Sequence, residues 1–485
     1  MEQVKKYINR TVSKLYKGVD FALTRGKPGD AMVALSAAAD LLYHTNTYYA
    51  DDTAEALLSR IAQRLPAPNI QPPRSGGILF YDGFGFNNRG LVQIYLKGLG
   101  KKGSLTYVTH IRNRNILPDV LDILKKCGAK VLWLTANTHY DLALELLQIF
   151  NDTAPEHAFL YTTPNDVAAL SAFRRMEGHT HRYQINLTDH AYWLGIGSFD
   201  TCIEFRDYGA SISRDKRHIP VDRLVKLPFY PAIDFDAPFQ GYPFSVPEGA
   251  KIVFSGGSLY KTLGGGNRYY EIVEFILQEF PDAIFWYAGQ GDSTQLDILI
   301  KAYPGRIFHT AERSDLYQVL KHSFLYLSTY PLCGGLMFQY AASAGKIPVT
   351  LRYDDVSDDF LLDQDDLGIQ FPTMDSLKEE LRKLFADDTY RQNKEACVKA
   401  AVLDQERFES GLGQLIERGN TGFAIRFKEI DTAAFCQEYL KNSSKSKVAQ
   451  HLVVKKNICL ARYAPMTFLC GAICKVKCKV EKLWK

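Results

Sequence analysis

Apolar residues recur at helical spacing through the start of the chain. The first stretch with this spacing carries Val4, Ile8, Val12, Leu15 and Val19. A turn at Pro28 then predicts a second helix through Leu42, and Asp52 with Glu55 forms a capping box for a third helix. No repeat follows these helices, so we expect a helical cap over residues 1–66 rather than a helical-repeat protein.

After a proline- and glycine-rich linker, short apolar runs alternate with helical patterns in two blocks. The predicted strands of the first block are Gly77–Tyr81, Leu105–Val108, Val131–Leu134, Ala158–Tyr161 and Cys202–Phe205. Those of the second block are Lys251–Phe254, Ala283–Ala288, Arg306–Phe308, Phe324–Leu327 and Ile347–Thr350. The helices predicted between them include Leu91–Leu96, Tyr269–Phe280 and Met337–Gly345.

Two such blocks predict an α/β protein with two doubly wound parallel-sheet domains, over residues 76–228 and 249–385. Helices over residues 386–440 are expected to pack back onto the preceding domains, and a basic tail over residues 441–485 follows them. Ligands of parallel sheets bind at the carboxyl ends of the strands. We therefore expect a site in a cleft between the two domains.

Charge is distributed unevenly along the 485 residues. The whole chain has 58 basic and 54 acidic residues, a net charge of +4. Residues 441–485 hold eleven Lys or Arg and one acid, Glu481, for a net charge of +10, so residues 1–440 carry −6. An acidic body argues against a nucleic-acid enzyme. The tail is predicted to contact an anionic membrane through residues 445–485, and a solvated disordered tail is the alternative.

The start of the chain shows no apolar segment behind its first charges, so no secretory signal is predicted. The longest uncharged stretch of the tail, Tyr463–Cys474, has twelve residues and is too short to span a bilayer. Cys470, Cys474 and Cys478 would share a helix face, but paired Cys-x-x-Cys ligands for zinc are missing. We predict reduced thiols and a cytoplasmic protein, peripheral on the inner face of the plasma membrane.

Three glycine-rich turns follow predicted strands. Gly83–Asn88 matches a dinucleotide fingerprint poorly, because Asn88 stands at the third glycine position, so we interpret it as a turn. Gly256-Gly257 precedes Lys261, but a P-loop requires glycine directly before its lysine and this chain has Tyr260 there. The Lys261 ammonium could still neutralise a diphosphate. A solvated lysine is equally compatible with the sequence. Gly289-Gln290 ends the next strand, where small residues would admit a ligand.

The strongest phosphate signal is Gly334-Gly335, which directly precedes a predicted helix. Unpaired amides and the positive end of the helix dipole at this point favour a pyrophosphate. An ordinary strand-to-helix turn is the alternative. Because Lys261 is expected at the same sheet edge, we favour phosphate binding by these glycines.

Asp189-His190 is the candidate acid–base pair, within a polar and aromatic cluster of the first block. A histidine beside a carboxylate can act as general base near neutral pH, although a structural histidine is the commoner case. His179 and His181 are weaker alternatives. The pair Asp234 and Asp236 could hold a divalent metal, but it lies away from a strand end and is interpreted as a turn.

The second block resembles the donor domain of GT-B-fold, nucleotide-sugar-dependent glycosyltransferases. The segments that carry the resemblance are Phe254–Gly257 with Lys261, Tyr287–Asp292, Glu312–Leu316, Pro331–Gly335 and Gly345–Val349. Retaining members carry two glutamates where this chain has Leu332 and Tyr340. The Pro331–Gly335 stretch is more similar to that of the inverting O-GlcNAc transferase type. The resemblance thus implies an inverting mechanism.

The resemblance also implies a set of donor-binding residues. These are Gly257, Lys261, Gly289, Gln290, Arg313, Gly334, Gly335, Leu336 and Gln339, the last replacing a ribose-binding carboxylate. The donor would be a nucleotide-diphosphate sugar, and we expect a UDP-sugar. The resemblance implies that the reaction uses no metal and no further cofactor. The acceptor would be a glycan or lipid-linked glycan of bacterial capsule, exopolysaccharide or lipopolysaccharide assembly. The alternatives are a nucleotide-sugar epimerase and a non-catalytic binding protein of the same fold.

Overall fold

The computed structural model describes residues 2–69, 72–87, 90–352, 367–441, 443–453 and 460–483. The chain forms two compact units, and each has its own parallel sheet. The first unit contains Met1–Leu227 and Ser410–Lys485, and the second contains Pro228–Glu409. The predicted architecture of two doubly wound parallel sheets is confirmed.

The first unit has a seven-stranded parallel sheet in the order β3-β2-β1-β4-β5-β6-β7. Its strands are β1 (Arg74–Asp82), β2 (Ser104–His110), β3 (Lys130–Leu134), β4 (Pro155–Tyr161), β5 (His181–Ile185), β6 (Thr201–Glu204) and β7 (Leu224–Lys226). The strand order reverses between β1 and β4, which are neighbours in the sheet. At such a reversal the loops at the carboxyl ends diverge and leave a crevice for ligands.

The helices of the first unit come from both ends of the chain. They are α1 (Glu2–Thr24), α2 (Pro28–Thr45), α3 (Asp52–Ala62), α4 (Gly90–Leu99), α5 (Pro118–Lys126), α6 (His139–Thr153), α7 (Val167–Arg175), α8 (Asp207–Asp215), α16 (Ala433–Lys441), α17 (Lys445–Leu452) and α18 (Pro465–Leu483). The N-terminal helices share one hydrophobic core with the sheet; Leu35 and Leu79, for example, are both fully buried in it.

The second unit has a six-stranded parallel sheet in the order β10-β9-β8-β11-β12-β13. Its strands are β8 (Lys251–Gly256), β9 (Ala283–Ala288), β10 (Ile307–Thr310), β11 (Leu325–Leu327), β12 (Pro348–Leu351) and β13 (Gln370–Phe371). Its helices are α9 (Arg268–Glu279), α10 (Thr294–Ala302), α11 (Leu316–Lys321), α12 (Gly335–Ser343), α13 (Met374–Ala386) and α14 (Asp388–Ala400), and α15 (Gln405–Arg418) follows. The order reverses between β8 and β11.

Three strands were missed because they lack a continuous apolar run: β5, β7 and β13. In β5 the polar residue Arg182 is buried inside the sheet, where its guanidinium pairs with Asp200 at 2.6 Å. Asp200 follows Arg182 by eighteen positions, so the local pattern gives no sign that Arg182 is neutralised. Buried charges of this kind need a partner that only the tertiary structure supplies.

The predicted cap of the third helix is wrong by one residue. Asp51, rather than Asp52, is the N-cap, and its carboxylate accepts a hydrogen bond from the Ala54 amide at 3.1 Å. Glu55 does not complete a capping box, because it accepts instead from the Gly195 amide at 2.6 Å and the Ile196 amide at 3.0 Å. Burial raises the pKa of Glu55 above its usual value.

The C-terminal basic segment is folded over the residues that the structure describes. Val448, Leu460 and Ala464 are buried in the core of the first unit. A Cβ on Gly471 would lie 2.1 Å from the Ala449 carbonyl oxygen, so α17 and α18 cross with their backbones in close approach. The disordered-tail alternative does not fit these helices. Lys455, Lys456 and Cys459 lie outside the described residues, as do the side chains of Cys478 and Lys479.

Candidate functional site

The candidate site of the second unit lies at the point where its sheet order reverses. The loop after β8 carries Gly257 and Lys261, and the loop after β11 carries Gly334 and leads into α12. Because β8 and β11 are parallel neighbours, their carboxyl ends open on the same edge of the sheet. The two strongest phosphate signals of the sequence are therefore adjacent in space.

Lys261 and Gly334 define this site most closely. A Cβ built on Gly334 would lie 3.7 Å from the Lys261 Nζ atom and 3.6 Å from the Cβ atom of Met337. The backbone links the same two loops, since the Leu332 amide donates to the Lys261 carbonyl at 3.3 Å. The absence of a side chain at Gly334 thus leaves space for a ligand in front of an ammonium group. We call Lys261 and the N-terminus of α12 the donor site.

The first turn of α12 offers backbone amides to this space. Gly334 is the N-cap and makes no side-chain capping bond, and Phe338 is the first residue whose amide bonds back to the Gly334 carbonyl, at 3.1 Å. The amides of Gly335 and Leu336 precede that bond and point out of the helix start. Together with the helix dipole they attract an anion.

Gly289 has a structural reason to be glycine, and its predicted contact with a donor stays a prediction. A Cβ there would lie 1.8 Å from the Gly257 carbonyl oxygen, so glycine is required for the loops after β8 and β9 to pack together. The same carbonyl accepts the Tyr287 hydroxyl at 3.0 Å. Gln290 accepts the Leu259 amide at 2.8 Å through its backbone, and its side chain is exposed. Gln290 thus stays a candidate contact of the donor.

Arg313 and Gln339 make internal contacts that weigh against their predicted roles. The Arg313 guanidinium pairs with both oxygens of buried Asp315 at 2.7 Å and donates to the Gly241 carbonyl at 3.0 Å. Burial opposes ionisation of Asp315, yet this pairing holds its pKa below the usual value. Gln339 is fully buried in α12, and its amide nitrogen donates to the Phe229 carbonyl. Both side chains thus have internal partners, and their donor-binding roles stay predictions.

The candidate acid–base pair lies in the first unit, on the loop after β5. The His190 side chain is 37% exposed, whereas that of Asp189 is 1% exposed, and their Nδ1 and Oδ1 atoms are 3.4 Å apart. Arg206 holds both oxygens of Asp189, with Nε–Oδ2 at 2.5 Å and Nη2–Oδ1 at 3.0 Å. Burial would raise the pKa of Asp189, but the Arg206 charge outweighs it and holds that pKa well below its usual range.

The two residues of this pair therefore differ in what they can do. A carboxylate with a depressed pKa that is buried and ion-paired is a poor proton acceptor. It is suited instead to orient the imidazole through Nδ1 and leave Nε2 exposed, as carboxylates do beside catalytic histidines. The arrangement favours His190 over Asp189 as the base.

Two further residues fix this loop, and neither could be identified from the sequence. The Arg217 Nη2 atom donates to the carbonyls of Thr188, Asp189 and Ala191, at 3.1, 2.9 and 2.7 Å. Asn46, the C-cap of α2, lies 144 positions away along the chain and donates to the His190 carbonyl at 3.2 Å. The loop is therefore held on its backbone by groups from remote elements, and the imidazole is the group it presents.

The two remaining motifs are internal turns. Asp82 Oδ1 accepts the amides of Phe84 and Gly85 at 3.0 and 2.9 Å, which explains the glycine-rich sequence after β1; Asn88 lies outside the described residues. Asp234 Oδ1 accepts the amides of Asp236 and Ala237 at 3.0 and 3.1 Å. Asp234 thus forms the predicted turn.

Helix α18 presents an exposed apolar stripe beside its basic residues. Met466, Leu469, Ile473 and Val476 are 66%, 53%, 50% and 61% exposed. Their spacing places them on one face of the helix, and exposed Lys477 lies next to that face. Among the described helices none has the length and apolar character needed to cross a bilayer.

The fold, in contrast to the sequence, has recognisable relatives among solved structures. A mutant of the Thermobaculum terrenum O-GlcNAc transferase has a TM-score of 0.50 at 14% identity, over 84% of this chain and 84% of that chain. The glycosyltransferase from Rickettsia africae ESF-5 has a TM-score of 0.52 at 11% identity, over 76% and 99%. The lipopolysaccharide outer core galactosyltransferase WaaB, in its apo form, has a TM-score of 0.52 at 11% identity, over 70% and 99%.

No family model matches the chain, and no curated protein matches it in sequence. The structural likeness at these identities establishes the fold. The chain has a fold of the GT-B glycosyltransferase type.

Proposed function

We propose that this GT-B chain is a glycosyltransferase of the hexosyltransferase type, which uses a nucleotide-diphosphate sugar, with UDP as the nucleotide. The observation that carries the proposal is the donor site, where the Lys261 ammonium lies beside a helix N-terminus kept open by Gly334. Cationic and dipolar groups that converge on a small open space are what a diphosphate requires. The site also lies at a reversal of strand order, the usual ligand position in such sheets.

The same groups would assist bond cleavage. When the bond between the sugar and the diphosphate breaks, negative charge accumulates on the departing phosphate oxygens. Lys261 and the α12 amides would stabilise that charge more in the transition state than in the bound donor, which lowers the barrier. This arrangement supplies the role that a divalent metal plays in other transferases, so we propose a metal-independent reaction.

His190 is proposed as the base of an inverting, single-displacement step. The acceptor hydroxyl would give its proton to the His190 Nε2 atom while its oxygen forms the new bond to the anomeric carbon, and the nucleotide diphosphate would leave from the opposite face. Asp189 would hold the imidazole through Nδ1, 3.4 Å away, and stabilise the imidazolium that forms.

The acceptor is proposed to be a glycan or a lipid-linked glycan of bacterial surface polysaccharide assembly. The exposed stripe of α18 and the +10 charge of residues 441–485 support attachment to an anionic membrane surface, where such acceptors are found. Each basic group near such a surface contributes about 1 kcal/mol.

A screen of UDP-, GDP-, dTDP- and CMP-sugars tests the proposal, with and without extracted lipid-linked and free glycans. A transferase releases nucleotide diphosphate faster when an acceptor is added and keeps its activity in EDTA during a short assay. Conversion of the donor without any acceptor would identify an epimerase, and binding without turnover would identify a non-catalytic protein. A strict Mn²⁺ requirement would contradict the metal-independent step.

A further inference from the structure

Outside the proposed reaction site, the first unit contains a cluster of three potential metal ligands: Asp40, His44 and His451. Asp40 and His44 are four residues apart at the end of α2, so both side chains lie on the same face of the helix. His451 comes from α17, more than 400 positions later in the chain, where α17 packs against α2. One ligand atom from each of the three residues lies within 4.8 Å of the other two.

One separation within this cluster matches that of two neighbouring ligands of a zinc-class ion. His451 Nδ1 lies 3.4 Å from Asp40 Oδ2. Around a tetrahedral ion with bonds of about 2.1 Å, neighbouring ligand atoms are about 3.4 Å apart. The two imidazole rings have their centroids 4.3 Å apart, close enough for one nitrogen from each to reach the same ion.

The surroundings orient two of the three ligands. The His44 Nδ1 atom is 2.8 Å from the Asp40 backbone carbonyl, the contact by which metal-bound histidines commonly fix their ring and leave Nε2 for the ion. The Asn165 amide donates to Asp40 Oδ1 at 3.2 Å and so fixes the carboxylate. Outer contacts of this kind raise metal affinity because the ligands are already in position before the ion arrives.

The fourth coordination position of an ion bound by these three residues would be open to solvent. Asp40 and His451 also line an open cavity of about 350 Å³, together with Lys447 and Lys475. The Lys475 ammonium donates to the Val453 carbonyl at the end of α17. Lysines around this cavity favour an anion, such as phosphate or chloride, over water as the fourth ligand.

We propose that Asp40, His44 and His451 bind one zinc-class divalent ion, which joins the C-terminal helices to the N-terminal helix α2. The consequence is structural: the ion links the segment that carries the apolar stripe of α18 to the core of the first unit. This inference is independent of the proposed sugar transfer, because it involves none of the residues assigned to it.

Metal binding by the full chain tests this site directly. After removal of any affinity tag and dialysis against a chelator, Zn²⁺ titration in competition with a chromophoric chelator should give one ion per chain. Asp40→Asn and His451→Gln should each weaken binding at least tenfold. His179→Gln, which changes an exposed histidine of the same unit outside the cluster, should leave it unchanged.

Co²⁺ substitution in the unmodified protein keeps the test decisive even if a variant fails to fold. The proposal expects visible ligand-field bands without the near-ultraviolet charge-transfer band of a thiolate. Bound Zn²⁺ should also slow proteolysis within residues 443–483. Absence of a stoichiometric ion, a thiolate band that assigns the ion to cysteines, or equal binding by folded Asp40→Asn and His451→Gln variants would overturn the proposal.

Discussion

The Lys261 Nζ atom lies 3.7 Å from the point that a Cβ on Gly334 would occupy, although the two residues are 73 positions apart. The relationship exists because β8 and β11 are parallel neighbours whose following loops meet at one edge. It places a cation and a helix N-terminus around one small space. The proposal that this chain binds a nucleotide diphosphate depends on this relationship.

Gly334→Ala should weaken UDP binding at least fivefold. Its backbone, at φ −90° and ψ 86°, tolerates a Cβ, and the nearest atoms lie at ordinary contact distance, so the protein should fold with a loss of no more than about 1 kcal/mol. The methyl group would occupy the space in front of Lys261. Calorimetry measures the effect, and Gly29→Ala, near the start of α2, is the matched control because a Cβ there also meets only ordinary contacts.

His190→Gln should lower kcat by about 10² to 10⁴ while the affinity for UDP stays unchanged. Glutamine keeps a polar side chain of similar size but cannot accept the proton. Steady-state kinetics with the acceptor identified in the donor screen measures kcat, and calorimetry measures the affinity for UDP. His179→Gln is the control. If His190→Gln retains full turnover and Asp189→Ala abolishes it, Asp189 takes over the role of base.

Asp189→Asn should destabilise the first unit by about 3–5 kcal/mol, because it leaves the buried Arg206 guanidinium without its anionic partner. The native pKa of Asp189 is depressed, so its stabilising effect is fully present above the unfolded pKa of about 3.9 and is lost as the pH falls below that value. In urea unfolding between about pH 3 and pH 7, the free energy of unfolding should therefore fall less on acidification for Asp189→Asn than for the parent. Identical pH profiles would contradict the ion-pair account.

Leu469→Ser combined with Ile473→Ser should abolish flotation with anionic liposomes. Both side chains are half exposed, so their loss removes apolar surface without opening the core. Ile116→Ser with Val221→Ser changes two residues of similar exposure elsewhere in the first unit and should have no effect. Undiminished flotation of the α18 variant would contradict membrane contact, and loss of a dimer instead would identify the stripe as a contact between copies of this chain.

The alternation of strands and helices and the proximity of Lys261 to Gly334 could be predicted from sequence because their signals are local. Apolar runs reveal β8 and β9, and glycines beside a helix start reveal the turn at Gly334. The internal contacts of Arg313, Gln339 and Gly289 could not be predicted in this way. Their partners, Asp315, the Phe229 carbonyl and the Gly257 carbonyl, are set by tertiary packing, and a residue's own type does not reveal such a partner.

The loop that presents His190 illustrates the same limit in the first unit. The adjacent carboxylate of Asp189 was visible in the sequence, but its pairing with Arg206 depends on a contact seventeen residues away. The backbone contacts from Arg217 and Asn46 have no local signal at all. Sequence reasoning could therefore single out Asp189 and His190 as candidates, while the ion pair that distinguishes Asp189 from His190 needed the structure.

The most direct test of the central claim is the difference in affinity between UDP and UMP, measured by calorimetry on the parent protein and on Lys261→Ala. The parent should bind UDP at least tenfold more tightly than UMP, because only UDP carries the second phosphate that Lys261 and the α12 N-terminus would hold. Lys261→Ala should weaken UDP binding at least tenfold, about 1.4 kcal/mol, and leave UMP binding nearly unchanged. Lys301→Ala, an exposed lysine of α10, should change neither affinity. Equal affinity of the parent for UDP and UMP, or an unchanged UDP affinity in Lys261→Ala, would contradict the account.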